Sequence, residues 1–421
     1  VSGVCTHPVT SGCLIGGVCR SAGWYDPKDP CYECIPSKAT TSGTFVTGKA
    51  CFNGTGVARM CLANACKGWI ESTYEPPAAQ KPTATTLTSV DYIPVAKQTW
   101  ATGEYHSSAS AGLKGLLTRI GATGTVAPVL TGAAMKDLHH RMAVGLNGTA
   151  RYHDGSKWIS SSALTSALNG HSRYGVWGAK IGPAETFYLS GYQSSGNAGI
   201  ISCAVVGSTV NCVNNTGIAS GAYMGSIFGS VTNLGLIGRL WSPRSNTPGS
   251  EPEDIYSNPG SSLAWSYSAP HGCHDAGSSP CSSTSGGFLR MNGSGAKDVW
   301  LVGQAGNLLH YDGSKWNRIT NVFPSQSSYQ LTAVFSSPKD KLVTVASYRN
   351  FGSGRQVVLV NYNSELDRWF PASQVRWSAG DFTNELLDLG GQGYSALYAV
   401  GKRRVGSGSG TKVVGWILTL K

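Results

Sequence analysis

Charge is scarce in this chain. Only 13% of its 421 residues are Asp, Glu, Lys or Arg, so its surface must be built from Ser, Thr, Asn and Gly, a composition that favours turn-rich strands over helices. Long apolar runs are missing too: no stretch of about 18 consecutive apolar residues occurs, which excludes a helix crossing a bilayer. Local catalytic signatures are absent, with no nucleophile elbow, His-Glu-x-x-His, phosphate loop or dinucleotide fingerprint. That removes the enzyme classes those motifs mark and calls for no cofactor. A site assembled from distant residues stays open, with enzyme the less favoured class. Clustered basic charge is also lacking. The formal net charge is +11, yet the longest basic run is Lys402-Arg403-Arg404 beside a Gly-Ser loop, so no nucleic acid partner is expected.

What is abundant is glycine, with 55 residues, and ring-bearing side chains, with 12 Trp, 18 Tyr and 10 Phe. The aromatic residues supply enough apolar surface to offset the entropy of ordering so glycine-rich a chain.

Eight of the 12 cysteines lie in the first 66 residues: Cys5, Cys13, Cys19, Cys31, Cys34, Cys51, Cys61 and Cys66. An even number at this density indicates an oxidising compartment and a small unit stapled by disulfides. Zinc is the competing reading of Cys31-Tyr-Glu-Cys34, but that pair stands alone with His7 as the nearby imidazole. Connectivity among the eight is not fixed by sequence. Cys203 with Cys212, and Cys273 with Cys281, are spaced to close hairpin loops. Secretion or display at the cell surface follows, with any export segment expected to have been removed ahead of Val1. Four Asn-x-Ser/Thr triplets, at Asn53, Asn147, Asn214 and Asn292, are frequent by chance in such a composition.

The chain divides into a Cys-rich unit over 1–74, a Pro/Thr-rich linker over 75–89 (from EPPAAQKPTATTLTS), and a repeat region over 90–421. The repeat shows in AVGLNGTARYHDGSKW, ending at Trp158, and LVGQAGNLLHYDGSKW, ending at Trp316. These share eight identities at a constant offset of 158 residues. The grammar is a β-meander: an apolar strand, a Gly turn, a second strand, then an Asp-Gly hairpin into a Trp-bearing strand. Asp154 and Asp312 therefore read as turn residues, and Trp158 and Trp316 as packing between repeats. Looser copies at Gly103, Gly145, Gly191, Gly238, Gly303, Ala346 and Gly401 predict an all-β fold, a β-propeller of seven blades, with six or eight as the neighbouring counts. Ring closure is expected from Val413 to Leu420 pairing near Val90 to Val95, so that 90–421 folds alone.

With Cys13-Leu-Ile-Gly-Gly-Val-Cys19, Asp26-Pro-Lys-Asp-Pro-Cys31-Tyr-Glu-Cys34 and the His-Tyr-Asp-Gly-Ser-Lys-Trp repeat in view, the chain resembles the exported Cys-rich and β-propeller repeat proteins of myxobacteria and similar predatory or surface-dwelling bacteria. The resemblance implies export and surface binding rather than a reaction.

The long interval between Gly238 and Gly303 marks an insertion over 242–296, and loops on a rigid scaffold are where binding concentrates. Its Glu251, Glu253 and Asp254 with Tyr256, Trp265 and Tyr267 are the expected ligand contacts, aromatic faces for a sugar ring or protein pocket with carboxylates setting polarity. His271, His274 and Asp275 could hold a metal, but Cys273 and Cys281 make that segment a closed loop, and no metal site is expected. The expected function is extracellular recognition or adhesion toward a glycan or a protein. The alternatives are self-assembly as a filament or appendage subunit, and a secreted polymer-degrading enzyme.

Overall fold

The computed structural model describes residues 12–420 except 17, 40, 52–58, 81, 108–109, 122–126, 170, 182–183, 194–197, 208, 216–222, 233–236, 246–253, 259–265, 270–287, 324, 352–353, 371–373, 376–383 and 407–410. Strands dominate, with one short helix, Ser162–Ala167, among the described residues.

The Cys-rich segment opens with a hairpin, Gly12–Ile15 on Val18–Ser21, and a three-stranded sheet of Tyr25–Asp26, Asp29–Glu33 and Thr44–Phe45. Disulfides join Cys13 to Cys34, Cys31 to Cys61 and Cys51 to Cys66, and Cys19 is disulfide-bonded as well. Cys5, Cys273 and Cys281 lie outside the described residues. Sulfurs of Cys31, Cys51 and Cys61 come within 4.8 Å of one another, but each belongs to a disulfide. They form the small core on which Tyr32 and Phe45 pack, the staple that so small a unit needs.

From Pro82 onward the chain lays down six antiparallel sheets of four or more strands among the described residues, and the first of these also receives the chain's last three strands. The strands that begin each unit are Pro82–Ile93, Met135–His139, His171–Ile181, Phe228–Val231, Phe288–Gly295, Gln330–Ser337 and Glu385–Gly391. They lie side by side in that order, and the last touches the first. The fold is a β-propeller-like scaffold with a disulfide-bonded N-terminal segment. Cys203–Cys212 staples the two outer strands of the third unit.

The glycine rhythm has a steric cause. Six of the seven inner strands shift register after Leu87, Met135, Arg173, Phe288, Leu331 or Leu386, a β-bulge that bends the strand toward the axis. The residues facing Leu87, Met135, Arg173, Phe288 and Leu386 are Gly103, Gly145, Gly191, Gly303 and Gly401. A Cβ on Gly103, Gly145, Gly191 or Gly401 would overlap the carbonyl oxygen of Thr86, Ala134, Ser172 or Glu385 respectively. Two phases differ in origin. Ala346 faces Ala333, one step beyond the bulge, and Gly238 is the residue skipped where Ser230 and Val231 pair with Arg239 and Ile237.

Between the units lie apolar seams. Trp158 packs with Ile93, Trp100 and Met135, and Trp316 with Trp241 and Tyr311. Asp154 accepts hydrogen bonds from the backbone N–H groups of Ser156 (2.8 Å) and Lys157 (2.9 Å), and Asp312 from those of Ser314 (2.8 Å) and Lys315 (3.0 Å). Both acids thus serve their hairpin turns.

The expected division at residue 74 needs correction. Ala65–Tyr74 hydrogen-bonds along Lys412–Leu420, from Trp69 opposite Leu420 to Tyr74 opposite Gly415. Met60, Leu62 and Trp69 share a core with Leu386, Leu397 and Trp416. The segment 75–89 is no free linker: a 3-10 turn at Ala78–Gln80 leads into the strand beginning at Pro82. The prolines weighed toward a linker are Pro76, Pro77 and Pro82, and all precede the strand interior, where β-branched Thr and Val take over. The final strand meets the first at one parallel bridge, Val413 to Ala84, not near Val90 to Val95. Asn361 Nδ2 donates to Gly48 O at 3.1 Å, Asn363 Nδ2 to Thr47 O at 2.9 Å, and Arg368 pairs with Glu33 at 2.7 Å. The Cys-rich segment is thereby seated on the sixth unit.

Candidate functional site

Directly after the bulges, the inner strands turn polar side chains to the axis and clasp the next strand. Val90 N donates to Asp388 Oδ2 at 3.0 Å, Leu138 N to Ser89 Oγ at 3.3 Å, and Val176 N to Asp137 Oδ2 at 2.8 Å. Two residues further along, His140 N donates to Asp91 Oδ2 at 2.7 Å and Ser336 N to Asn292 Oδ1 at 3.3 Å. Each clasp gives a partner to a backbone N–H of the neighbouring inner strand or its turn, at a depth where an unpaired N–H would be costly.

Arg290 answers these acids from the opposite wall. Its strand is the fifth in the cycle, yet its guanidinium reaches the seventh, first and second. It stands 3.9 Å from Asp388, donates to Thr88 O at 2.8 Å and approaches Asp137 at 3.5 Å. One cation thus faces two buried carboxylates. Burial pushes Asp137 up to about 6 against the opposing pull of Arg290, and raises Asp388 likewise.

Beside Arg290 lies a cavity of about 290 Å³ to which all seven inner strands or the turns joining them contribute. Asp91, His139, His140, Ser226 and Arg290 give it polar atoms. Burial raises Asp91 to about 6, with His140 nearby acting the other way. His139 Nδ1 sits 3.4 Å from Asp91, and its ring stacks on His140 at 4.3 Å. Burial, then His140, push the His139 imidazole well below its ordinary value, whereas Glu185, as hydrogen-bond and charge partner, and Asp91 lift His140 above it despite burial. Ser226 is 5% exposed and its hydroxyl has no hydrogen-bond partner among the described residues.

The contacts expected from the sequence lie elsewhere. Asp254 and Tyr256 fall in Asp254–Asn258 and Tyr267 in Ser266–Ala269, the third and fourth strands of the fourth unit. Tyr256 faces Tyr267 across the ladder, and Asp254 faces Arg244. Part of the 242–296 segment is therefore ordinary sheet. Glu251, Glu253 and Trp265 are outside the described residues. Sequence reading missed the axial residues, although Met135-Lys-Asp137-Leu and Leu386-Leu-Asp388-Leu share a pattern of apolar, any, Asp, Leu that marks a bulge and its clasp.

No family model matches the chain, and no curated protein matches it. Among solved structures it is similar to YCF48 bound to D1 peptide, at 12% identity and TM-score 0.47, over 88% of this chain and 99% of that one. It is also similar to Chaetomium thermophilum Sqt1 bound to the N-terminus of the ribosomal protein L10 (10%, TM-score 0.47, 81% and 97%). A third is the six-bladed fucose-recognising fungal lectin of Aleuria aurantia (8%, TM-score 0.44, 81% and 96%). The resemblance read from the sequence holds at the level of architecture, and none of these three names a bacterial source.

Proposed function

We propose that this chain is an exported, non-catalytic recognition module: a seven-bladed ring, closed by Ala65–Tyr74 as the outer strand of the last blade, that holds an extracellular glycan or protein at its axial cavity. The observation that carries this reading is the cavity itself, to which all seven units contribute, with polar atoms from Asp91, His139 and Ser226. Pockets of this size with a few convergent polar groups are the usual seats of ligands. Binding is preferred to polymer cleavage because Asp91, Asp137 and Asp388 are already engaged as clasps on backbone N–H groups. A general acid or base must be free to exchange its proton with substrate. The test is a combined glycan and peptide array probed with the full chain and with His140→Trp, which narrows the cavity. Hits lost in a folded His140→Trp support the reading, and hits retained overturn it.

A second reading, self-assembly into a surface filament, is favoured by Ile70, Val206 and Val213, aliphatic side chains each more than half exposed. Val213 lies on the outermost strand of the third unit. Asp254, Tyr256 and Tyr267, on the third and fourth strands of the fourth unit, would then serve subunit contact. Negative-stain microscopy of native material separates the two, since the second requires regular polymer.

A further inference from the structure

We propose that a second recess, at the seam between the Cys-rich segment and the sixth and seventh units, binds an anion with an apolar body: a carboxylate joined to an aliphatic group. This site is separate from the axial cavity and does not depend on the reading of that cavity.

The shape of the recess is the first ground. Its volume is about 490 Å³, against about 290 Å³ at the axis, within the range of small-molecule sites. The hairpin joining Arg59–Leu62 to Ala65–Tyr74 contributes Leu62 and Lys67, the turn between Gln330–Ser337 and Leu342–Phe351 contributes Lys339 and Lys341, and the seventh unit contributes Tyr394. Leu62, Tyr394 and Leu420 are buried members of one core and form an apolar floor, whereas Lys339 and Lys341 are exposed at the rim. The walls are held in place by the contacts that seat the Cys-rich segment, Asn361 Nδ2 on Gly48 O at 3.1 Å and Asn363 Nδ2 on Thr47 O at 2.9 Å. A ligand therefore finds the recess already formed, which lowers the cost of binding.

The charge balance is the second and independent ground. Two acids line the recess, Asp340 and Glu365, and both are engaged. Asp340 Oδ2 accepts from Ser337 Oγ at 2.6 Å and from Tyr394 N at 3.2 Å. Glu365 is shared by Lys38 at 3.2 Å and Lys341 at 3.4 Å, and these two ammonium groups hold its carboxyl below the ordinary value. Lys67 and Lys339 have no carboxylate partner among the described residues. Lys67 is half-buried, so its ammonium is partly withdrawn from water and gains from an anion beside it. Cations at the rim and an apolar floor together specify the ligand. A small hydrated anion would leave the floor wet, and a neutral apolar molecule would leave the lysines unpaired. A carboxylate carrying an apolar body answers both.

The experiment is calorimetric titration of the intact, oxidised chain at pH 7.5 with sodium hexanoate, with hexanol as the neutral apolar control, and with sodium acetate as the charged control. N-acetyl-leucine beside N-acetyl-leucinamide reports whether the carboxylate of a peptide terminus is accepted as well as that of a free acid. Expected are saturable binding of one or both apolar carboxylates, and binding of hexanol, acetate and the amide weaker by about tenfold, the size of one lost charge-assisted contact. Replacing both lysines, Lys67→Gln with Lys339→Gln, should weaken the carboxylate to a similar degree. Ser395→Trp, at an exposed residue of the same recess, fills the space without touching the core and should abolish binding. His140→Trp, which narrows the axial cavity, should leave it unchanged. Failure of both carboxylates to bind, equal binding of hexanol or acetate, or carboxylate binding that survives both the double lysine variant and Ser395→Trp would overturn the inference. Carboxylate binding lost in a folded His140→Trp would move the anion to the axis and overturn it too.

Discussion

Arg290 and Asp137 are 153 residues apart in the chain, and their side chains come within 3.5 Å where the inner strands converge. The contact ties the fifth inner strand to the second, which no strand pairing joins. It also sets a charge at the centre that the rest of the core must accommodate. Removing it leaves Asp137 and Asp388 buried without a counter-charge. Arg290→Met should cost about 3 kcal/mol at pH 7.5 in urea denaturation. The cost should shrink at pH 5, below the value of about 6 at which Asp137 takes up a proton. An equal loss at both pH values would show that packing of the side chain, not its charge, is what matters.

The axial acids make a signed prediction. Asp91 stands at about 6 in the folded chain against an ordinary 3.8. Between those values the native state binds a proton that the unfolded state releases, so this contribution to stability falls as pH rises through the window. Asp91→Asn lacks that titration. Its stability relative to the natural chain should therefore increase from pH 4 to pH 7 by on the order of 2 kcal/mol, on top of a constant loss from the weaker clasp on His140. A difference that stays flat with pH would contradict the assigned burial of Asp91.

The bulge glycines should be intolerant of any side chain. Gly145→Ala forces a Cβ into the carbonyl of Ala134 and should cost about 1–3 kcal/mol, the range for overpacked cores. Gly132→Ala meets nothing within 4 Å and has no left-handed backbone, so it should stay within about 0.5 kcal/mol. Thermal melts of the two variants side by side decide the matter.

Cutting the chain at Val90 should destroy it. The fragment 90–421 loses most of the strand Pro82–Ile93 and all of Ala65–Tyr74, exposing the edge of Lys412–Leu420 and the core around Trp416. Expression should give insoluble material, since an unpaired strand beside an open apolar seam invites aggregation. A soluble, cooperatively melting 90–421 would show that closure needs only its own ends.

Arg173 departs from its counterparts. At the pre-bulge position five other inner strands carry Leu87, Met135, Phe288, Leu331 and Leu386, whereas Arg173 is fully buried there, donating to Gly199 O at 2.6 Å. Burial lowers it to about 9. Arg173→Met should raise the melting temperature, because an apolar residue at such a site avoids desolvating a charge. A marked destabilisation would mean that the guanidinium is needed to hold the third unit to its neighbours.

The local chemistry was legible in sequence. Asp154-Gly155 and Asp312-Gly313 announced their hairpins, Trp158 and Trp316 their seams, and the cysteine density its staples, because turn geometry, aromatic burial and disulfide chemistry depend on residues close in the chain. The glycine rhythm likewise reflects a contact inside one unit. Other features depend on residues that meet only when the units pack together. Ala65–Tyr74 carries no mark that its partner is Lys412–Leu420, and Pro76 and Pro77 disguised the start of a strand as a linker. Asp91, Asp137, Asp388 and Arg290 are isolated charges in separate repeats, and only the convergence of the inner strands on one axis turns them into a site.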